Sequence, residues 1–594
     1  MKNLLAQLFL RSRYLPATAA GILLALAFPS VGIAGLAWIA PALLVASAGG
    51  RRGWEAWRIG YIGGLAYYLA SLCWLLRIPV TGFPILGWLA LSAYVALYPA
   101  TWVWLLTGKI GHGSWLRRLA WTLLGAAAWV GLEMIQARLF SGFPWNLLGA
   151  SQFKMTPLIQ IASVMGIYGV SFIVVWTSLT ILSASTAILR QPTTRYLWLG
   201  DMLLPVLVVL GLFSWGTSRM RAAREDARPT LRVTFVQPSI PQTMIWNSAD
   251  NERRFGELLK LTEQALTNAT DLLLWPEAAV PKMIRYDEET LYRIGNLAKS
   301  NRVWMIVGSD DAEPARGPGR KKDEADYFNA AFLINPEGEL ATRYCKRNLV
   351  IFGEYIPLVR WLPFLKWFTP IDGGFEAGDR IVPFVLEFQN TTRRDASLSP
   401  REERAGREPE RGAAVTNAPP LPTPLLRSAE EREQDRAGDV VHTATLICFE
   451  DMFPQHVRDY VKDDTDFLVN LTNDGWFGEG GEQWQHAASA TFRAVENGVP
   501  LLRCCNNGLT CWIDSRGVMR QVFRDATGSF HGAGVMTAEI PLLAPGEKRE
   551  PTFYKRHEDW FGWGCVAATG CAIFLKLQRN FRREPRVRLR CFDR

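Results

Sequence analysis

Two apolar runs of this sequence end on residues that could take part in covalent catalysis. Cys448 follows the run 445–447, and Glu277 follows the run 272–276. A residue at the end of a buried strand comes out at the edge of the sheet, where the next turn can expose it to a substrate. Lys346 lies between the two in the chain and adds a cation to the set.

A cysteine, a glutamate and a lysine together can perform acyl transfer without a histidine. The thiol needs a base within hydrogen-bond reach, because the thiolate is the nucleophile. A partly desolvated carboxylate can act as that base. The lysine, with a backbone N–H as second donor, can stabilise the oxyanion of the tetrahedral intermediate. Taken singly, each of these residues would be an ordinary buried thiol or a solvated charge.

The cysteines and histidines give no sign of a metal site. The chain has nine cysteines without a CxxC pair, and six histidines without an HExxH motif. A structural zinc site is therefore not expected.

The charge of the chain is distributed very unevenly. The 594 residues carry a net charge of +9 and a mean hydropathy of +0.04. Residues 1–222 hold only 19 charged side chains with a net charge of +13, residues 223–575 sum to −10, and the tail from Lys576 sums to +6. A single soluble domain is therefore excluded. The negative central region also argues against nucleic-acid binding.

Eight apolar segments are long enough to cross a bilayer. We place them near 14–31, 33–49, 58–78, 84–107, 119–137, 157–188, 199–216 and 560–576. Because Lys and Arg are concentrated in alternate connections and in the tail, the N-terminus is predicted to lie inside and the region 223–555 outside the cytoplasm. The closely spaced apolar runs favour a retained N-terminal anchor over a cleaved signal peptide.

The region after the first seven segments has the pattern of an α/β domain. Short apolar runs typical of strands lie at 231–237, 271–275, 303–308, 443–448, 466–471 and 501–505. Helical periodicity covers 251–268, 288–299 and 485–497. Residues 391–440 are rich in Arg, Glu and Pro and are predicted to be a disordered or loosely ordered insertion.

The order of these motifs resembles the nitrilase superfamily. Trp275-Pro276-Glu277, the Lys346 segment and Cys448-Phe449-Glu450 follow one another as they do in that superfamily. With seven spans before the domain and one after it, the chain resembles the bacterial apolipoprotein N-acyltransferases. Supporting segments lie at 142–149, 236–242, 245–247, 470–478 and 503–508.

The resemblance implies a polytopic α-helical bundle that carries an α-β-β-α sandwich. The implied division is a bundle at 1–222, a catalytic domain at 228–548, a membrane helix at 556–577 and a basic cytoplasmic tail at 578–594. The catalytic domain would face the periplasm from the bacterial inner membrane.

The resemblance also implies roles for individual residues. Glu277 would be the general base, Lys346 the oxyanion stabiliser and Cys448 the nucleophile. Glu354 matches a second essential glutamate, which would orient the lysine and the intermediate.

Three further positions match residues that the family uses beside the site, namely Glu450, Trp246 and Phe449. The family commonly has Tyr after the nucleophile, so Phe449 keeps an aromatic packing role but lacks the hydroxyl.

The implied reaction is ping-pong and uses no metal and no other cofactor. The cysteine takes an acyl chain from a phospholipid as a thioester. It then passes the chain to the α-amine of the S-diacylglyceryl cysteine of an apolipoprotein, which is the last step of lipoprotein maturation. The partners are these two substrates and the bilayer, with no nucleic acid, and the chain is expected to be a monomer.

Two other classes of function are open on the residues alone. One is a membrane-anchored amide hydrolase that acts on a small molecule with the same three residues. The other is a polytopic sensor or transporter whose external domain only binds a ligand. The aromatic segment 361–368 bears on the first alternative: we interpret it as an amphipathic lid at the membrane interface, with a buried strand or helix as the competing interpretation.

Overall fold

The computed structural model describes ten stretches of the chain. They are residues 12–80, 83–107, 113–190, 196–222, 228–245, 247–315, 325–359, 361–368, 374–388 and 439–581. Trp246, nearly all of the predicted insertion 391–440 and most of the basic tail lie outside these residues.

Five helices of the described chain are long and apolar enough to cross a membrane. They are Phe83–Leu106, Trp115–Gln136, Ile167–Arg190, Trp198–Arg221 and Trp560–Gln578. At 1.5 Å per residue, about 20 residues span the 30 Å hydrocarbon core. Each of the five corresponds to one predicted span.

The structure corrects the boundaries of several predicted spans. The first three correspond to shorter helices, Tyr14–Leu26, Ala40–Ser47 and Gly53–Ser71. The predicted span 33–49 is interrupted, because Pro41 sits in the first turn of a new helix, where its missing N–H is tolerated. The predicted span 157–188 begins later, at Ile167, after Gly166 ends a four-residue helix at φ +65°.

Two buried carboxylates hold the bundle together. Asp201 accepts from the Nε of Arg118 at 2.8 Å and so joins two spans. Glu133 accepts from the Trp129 indole at 2.8 Å and from the Leu148 N–H at 2.7 Å. Glu133 therefore has a structural role within the bundle and fixes the chain after the loop 137–147.

Within the described residues, twelve strands form two six-stranded sheets. The strands are β1 Thr230–Gln237, β2 Leu272–Leu274, β3 Trp304–Pro314, β4 Ala325–Ile334, β5 Leu340–Cys345, β6 Pro383–Phe388, β7 Asp439–Ile447, β8 Phe467–Thr472, β9 Leu501–Cys505, β10 Cys511–Ile513, β11 Met519–Val522 and β12 Gly534–Pro541. The first sheet has the order β12-β1-β2-β3-β4-β5 and the second has the order β11-β10-β9-β8-β7-β6.

Both sheets have the same internal plan. β1, β2 and β3 run parallel in one, and β7, β8 and β9 run parallel in the other. The remaining strands add to each side in antiparallel pairs. The carboxyl ends of the parallel strands are the edge at which Glu277 and Cys448 leave their strands.

The two sheets pack face to face, with helices on their outer sides. Leu272 and Leu274 point into the core between the sheets, while Leu273 points to the outer side, as the two-residue period of a strand requires. The helices Asn251–Ala265 and Glu288–Asn301 cover that outer side of the first sheet. This confirms the predicted α-β-β-α sandwich.

The helix Glu482–Asn497 covers the second sheet and also contacts the bundle. Ala487, Ala490 and Ala494, at helical spacing, belong to the same cluster of buried residues as the strands of the second sheet. Ala488, Phe492 and Val495, one position further round the helix, pack into the core of the bundle. Fifteen of the sixteen residues of this helix are buried, and Trp484 is half-buried. The helix is thus the element that joins the sandwich to the membrane helices.

Candidate active site

Cys448 sits at a sharp turn between a strand and a short helix. β7 ends at Ile447, and the 3₁₀ helix Cys448–Met452 begins at once. Cys448 has φ +52°, a left-handed conformation that is uncommon for a residue with a side chain. The Asn470 amide donates to the Cys448 carbonyl at 3.0 Å and fixes the turn. The thiol is half-buried at the end of the sheet.

Glu450 attaches this turn to the lysine segment. Its carboxylate accepts hydrogen bonds from the Ile447 N–H at 2.8 Å, the Arg347 N–H at 2.8 Å and the Asn348 N–H at 3.1 Å. The Tyr344 hydroxyl donates to the same carboxylate at 2.7 Å. These contacts span both sheets, so Glu450 joins the turn that carries Cys448 to the segment that carries Lys346.

The ammonium group of Lys346 lies between two carboxylates. Its Nζ is 2.8 Å from Glu354 Oε1 and 3.3 Å from Glu277 Oε1. The Asn329 amide nitrogen donates to the same two oxygens, at 2.7 Å to Glu277 and 3.1 Å to Glu354. Lys346 and Asn329 therefore both donate hydrogen bonds to Oε1 of each glutamate.

The second oxygen of Glu277 is left without a hydrogen bond. Oε2 is buried and has no hydrogen-bond partner among the residues that the structure describes. The loop that carries Glu277 crosses β3 at Gly308, where an added Cβ would lie 2.2 Å from the Pro276 carbonyl oxygen. Only glycine allows this close crossing.

The charges of these groups interact strongly. Burial alone would lower the pKa of Lys346, but Glu354 and Glu277 outweigh it and hold that pKa well above its ordinary value. Burial and the charge of Glu277 raise the pKa of Cys448 well above its ordinary value. The lysine is therefore charged and the resting thiol is neutral, so the thiol needs a base before it can attack.

Asp310 is a further carboxylate beside this cluster. It lies on β3 directly opposite Asn329 on β4, and opposite residues of antiparallel strands project to the same face. Burial, followed by the charges of Glu277 and Glu354, raises the pKa of Asp310 to about 6. Sequence reasoning missed both Asp310 and Asn329, which carry no motif of their own.

A buried network of charges lies behind the nucleophile turn. Asp451 is 2.7 Å from His486 Nε2 and 2.5 Å from Arg503 Nη1. Asp474 is 3.1 Å from His486 Nδ1 and 3.4 Å from Arg503 Nη2. Although burial lowers it, the two aspartates raise the pKa of His486 to about 10. The protonated ring and Arg503 thus balance the two carboxylates.

The same network contains the one described group whose ligand atoms lie close enough together to hold a metal ion. The ligand atoms of Asp474, Glu482 and His486 lie within 4.8 Å of one another. Both ring nitrogens of His486 already face carboxylate oxygens, at Asp451 and at Asp474. The geometry fits an ion-pair network, because a metal would have to replace the proton between His486 and Asp474.

Phe449 packs against the membrane-side loop rather than into the sandwich. Its ring stacks on Trp145, with 6.2 Å between centroids and 20° between planes. Trp145 lies in the predicted motif 142–149, and it also contacts Trp74 at 4.9 Å. Phe449 is therefore a direct contact between the turn that carries Cys448 and the bundle.

The comparisons with known proteins agree with this arrangement. Residues 20–180 match the family "Apolipoprotein N-acyltransferase N-terminal domain", and residues 232–544 match "Carbon-nitrogen hydrolase". An apolipoprotein N-acyltransferase from Geobacter metallireducens is 33% identical over 580 residues, which is 96% of this chain and 96% of the relative. The chain belongs to the apolipoprotein N-acyltransferase family.

Two more distant proteins are also similar to this acyltransferase. An apolipoprotein N-acyltransferase from Brucella melitensis biotype 1 is 28% identical, over 88% of this chain and 86% of the relative. The structure of an amidase from Nesterenkonia sp. AN1 is 14% identical, covers 59% of this chain and 99% of its own, and has a TM-score of 0.33.

The acyltransferase brings together most of the residues that its sequence indicated. Glu277, Lys346 and Glu354 form one hydrogen-bonded group, and the charges of Glu277 and Lys346 act on the pKa of Cys448. Trp246 lies outside the described residues. Nearly all of the predicted insertion 391–440 also lies outside the described residues, and Phe449 has no hydroxyl to offer the site.

In the aromatic segment 361–368, residues 361–364 and Lys366 are exposed. Pro363–Phe368 forms a 3₁₀ helix, and Trp361 is 82% exposed and Phe364 is 46% exposed. The competing interpretation of a buried strand or helix is therefore wrong for these residues. The membrane lid stays a prediction.

Proposed function

We propose that this acyltransferase forms a thioester on Cys448, with Glu277 as base and Lys346 as oxyanion stabiliser. The observation that carries the proposal is the asymmetry of Glu277. One oxygen is held by Lys346 and Asn329, and the other is buried without a partner. A carboxylate fixed in this way has one oxygen ready to accept a proton from the neutral thiol.

The first half-reaction transfers an acyl chain from a phospholipid ester to the thiol. Glu277 takes the proton of Cys448, and the sulfur attacks the ester carbonyl carbon. Two N–H groups of Lys346 face carboxylates, so the third is available to the oxyanion. As the C–O bond breaks, Glu277 returns the proton to the departing glycerol oxygen. The products are a thioester and a lysophospholipid.

The second half-reaction passes the acyl chain to an amine. The neutral α-amine of an S-diacylglyceryl cysteine attacks the thioester carbonyl, again with its oxyanion beside Lys346. The C–S bond breaks as the amide forms, and the amine proton returns to the sulfur through Glu277. The enzyme is regenerated without any consumed co-reactant.

The placement of the protein follows from the positions of its basic residues and apolar helices. We place the bundle, residues 1–222 and the helix 556–577, in the bacterial inner membrane and the domain 228–548 on its periplasmic face. The tail 578–594 then lies in the cytoplasm. This arrangement gives the site access to phospholipid and apolipoprotein in the same leaflet.

Mass spectrometry of the full-length protein after incubation with phospholipid vesicles tests the nucleophile. We expect one added acyl mass on the peptide that contains Cys448, and its disappearance when an S-diacylglyceryl cysteine peptide is added. In Cys448→Ser the adduct should fall by at least about 10³-fold, because a serine hydroxyl is not deprotonated by a carboxylate.

Cys571→Ser is the matched control, because Cys571 is an exposed thiol on the C-terminal membrane helix. It should acylate like the wild type. An adduct that persists in Cys448→Ser would contradict the assigned nucleophile. Loss of the adduct to water rather than to the peptide amine would favour the hydrolase alternative.

A further inference from the structure

The side chain of Gln485 uses every one of its hydrogen-bonding positions at the junction of sandwich and bundle. Its Oε1 accepts from the indole N–H of Trp145 at 2.7 Å and of Trp74 at 3.2 Å. Its Nε2 donates to the carbonyl of Pro29 at 2.6 Å and of Ser71 at 3.3 Å. The side chain is 6% exposed, so water does not substitute for these partners.

The chemistry of the partners requires an amide at this position. An indole N–H can only donate, and a backbone carbonyl can only accept. The orientation of the Gln485 amide is therefore fixed by its partners. A carboxylate would lose both donors, and an apolar side chain would leave four buried polar groups unpaired, which is costly.

The four partners come from three separate connections at one end of the bundle. Pro29 follows the helix Tyr14–Leu26, and Ser71 ends the helix Gly53–Ser71. Trp74 lies in the next 3₁₀ turn, and Trp145 lies in the loop after Trp115–Gln136. The side chain of Gln485 is thus hydrogen-bonded to three connections of the bundle.

Two short routes lead from Gln485 to the nucleophile turn. Trp145, which bonds to Gln485, stacks on Phe449, the residue after Cys448. His486, the next residue along the helix, bonds to Asp451 in the same 3₁₀ turn. Only the route through Trp145 uses the Gln485 side chain; the bond between His486 and Asp451 remains when Gln485 alone is changed.

We propose that Gln485 is a positioning residue that holds the Trp145–Phe449 contact in register with the bundle, so that an acyl donor arriving from the bilayer meets Cys448. This inference rests on the proposed role of Cys448 as nucleophile. A lipid donor must approach from the bundle side, where Phe449 and Trp145 lie. A small water-soluble ester needs only the thiol, the base and the lysine.

The test compares two acyl donors on the full-length enzyme. One donor is phospholipid in vesicles of phosphatidylethanolamine and phosphatidylglycerol, and the other is soluble p-nitrophenyl butyrate. In Gln485→Leu we expect acylation of Cys448 from vesicles to fall by about 10-fold or more, because several hydrogen bonds are lost. The burst with the soluble ester should stay within about 2-fold of the wild type, because Glu277, Lys346 and Cys448 are unchanged.

Asn497→Ala is the matched control on the same helix. Asn497 is also a buried amide, but its hydrogen bond goes only to the Arg493 carbonyl of the helix itself. This variant should acylate Cys448 at the wild-type rate from both donors. Trp74→Phe is a milder variant that removes one indole donor and keeps the ring contacts with Trp145 and Phe477. It should lower only the vesicle reaction, by about 3-fold for one hydrogen bond.

The outcomes separate this inference from the proposed function. If both donors lose rate equally in Gln485→Leu and in Trp74→Phe, or if neither donor is affected, Gln485 has no positioning role for lipid. Acylation of the wild type at a residue other than Cys448 would overturn the proposed nucleophile, and this inference with it.

Discussion

The two sheets of the sandwich hold their reactive groups in different ways. On the first sheet, Glu277, Lys346 and Glu354 are fixed by hydrogen bonds between side chains, with Asn329 as the common donor. On the second sheet, Cys448 is fixed through its backbone, by a strained turn and the carboxylate of Glu450. The hydrogen bonds on the first sheet set the charge states of the side chains, and the turn on the second sheet sets the position of Cys448.

The helices that cover the two sheets also differ in their exposure to solvent. The helices over the first sheet have one exposed face, whereas the helix Glu482–Asn497 over the second is buried on all sides. Cys448, the proposed nucleophile, is therefore built onto the half of the sandwich whose covering helix packs against the bundle. Glu277, the proposed base, stands on the other half. In the proposed mechanism the nucleophile and the base thus come from different sheets.

The largest expected effect on the rate of acylation is that of Glu277→Gln, which removes the proposed base on the first sheet. The amide retains contact with Lys346 but cannot take the thiol proton, so acylation should fall by about 10²–10⁴-fold. Because the pKa of Cys448 is raised, the residual rate should grow about tenfold per pH unit as thiolate forms. Stopped-flow acylation between pH 6 and 9 measures this slope.

The matched control for Glu277→Gln is Glu339→Gln, which changes an exposed carboxylate that is bonded to Asn335 after β4. It should leave the rate and its pH profile unchanged. A pH-independent residual rate in Glu277→Gln would contradict the assignment of Glu277 as base.

Asn329→Ala tests how far the rate of acylation depends on the neutral amide that donates to Glu277 and Glu354. It removes two hydrogen bonds to charged oxygens, while Lys346 still holds both glutamates. A net loss of about one such bond, about 1.5–3 kcal/mol, should lower acylation by about 10- to 100-fold. Asn335→Ala, on the turn after β4, is the control. Unchanged acylation in Asn329→Ala would show that Lys346 alone orients the two glutamates.

The smallest expected effect is on the thermal stability that the charge of His486 contributes on the side of the second sheet. The pKa of His486 in the fold is about 10, above its ordinary value of 6.5. Its protonated ring therefore contributes fully to stability below about pH 6.5, and this contribution is lost as the pH rises through about 10. The Tm of the wild type in detergent should fall by a few degrees more between pH 7 and pH 10 than that of His486→Gln. Parallel Tm curves would contradict a charged His486.

The sequence predicted the parallel strands and missed the antiparallel ones. The six predicted runs correspond to β1, β2, β3, β7, β8 and β9, and the predicted helices at 251–268, 288–299 and 485–497 are confirmed within a few residues. Parallel strands are covered on both faces and appear as continuous apolar runs. The antiparallel strands, such as β6 with its alternating buried and exposed residues, are more polar and merge with the loops.

The candidate site shows the same division. Glu277 and Cys448 could be found because each follows an apolar strand, and Lys346 and Glu354 because the motif order resembles a known family. Asn329 could not be found, because its partners are 52 and 25 residues away in the chain and only strand pairing brings them together. Gln485 is further from its partners still, at separations of up to 456 residues.

The sequence by itself determined the type of chemistry, the membrane attachment and the order of the parallel strands. Each of these depends on residue identity within a short window, such as an apolar run, a basic connection or a reactive residue at a strand end. Tertiary structure alone decided which oxygen of Glu277 is free and how the nucleophile turn meets the bundle. Those features depend on distances between residues remote in the chain, which local patterns do not record.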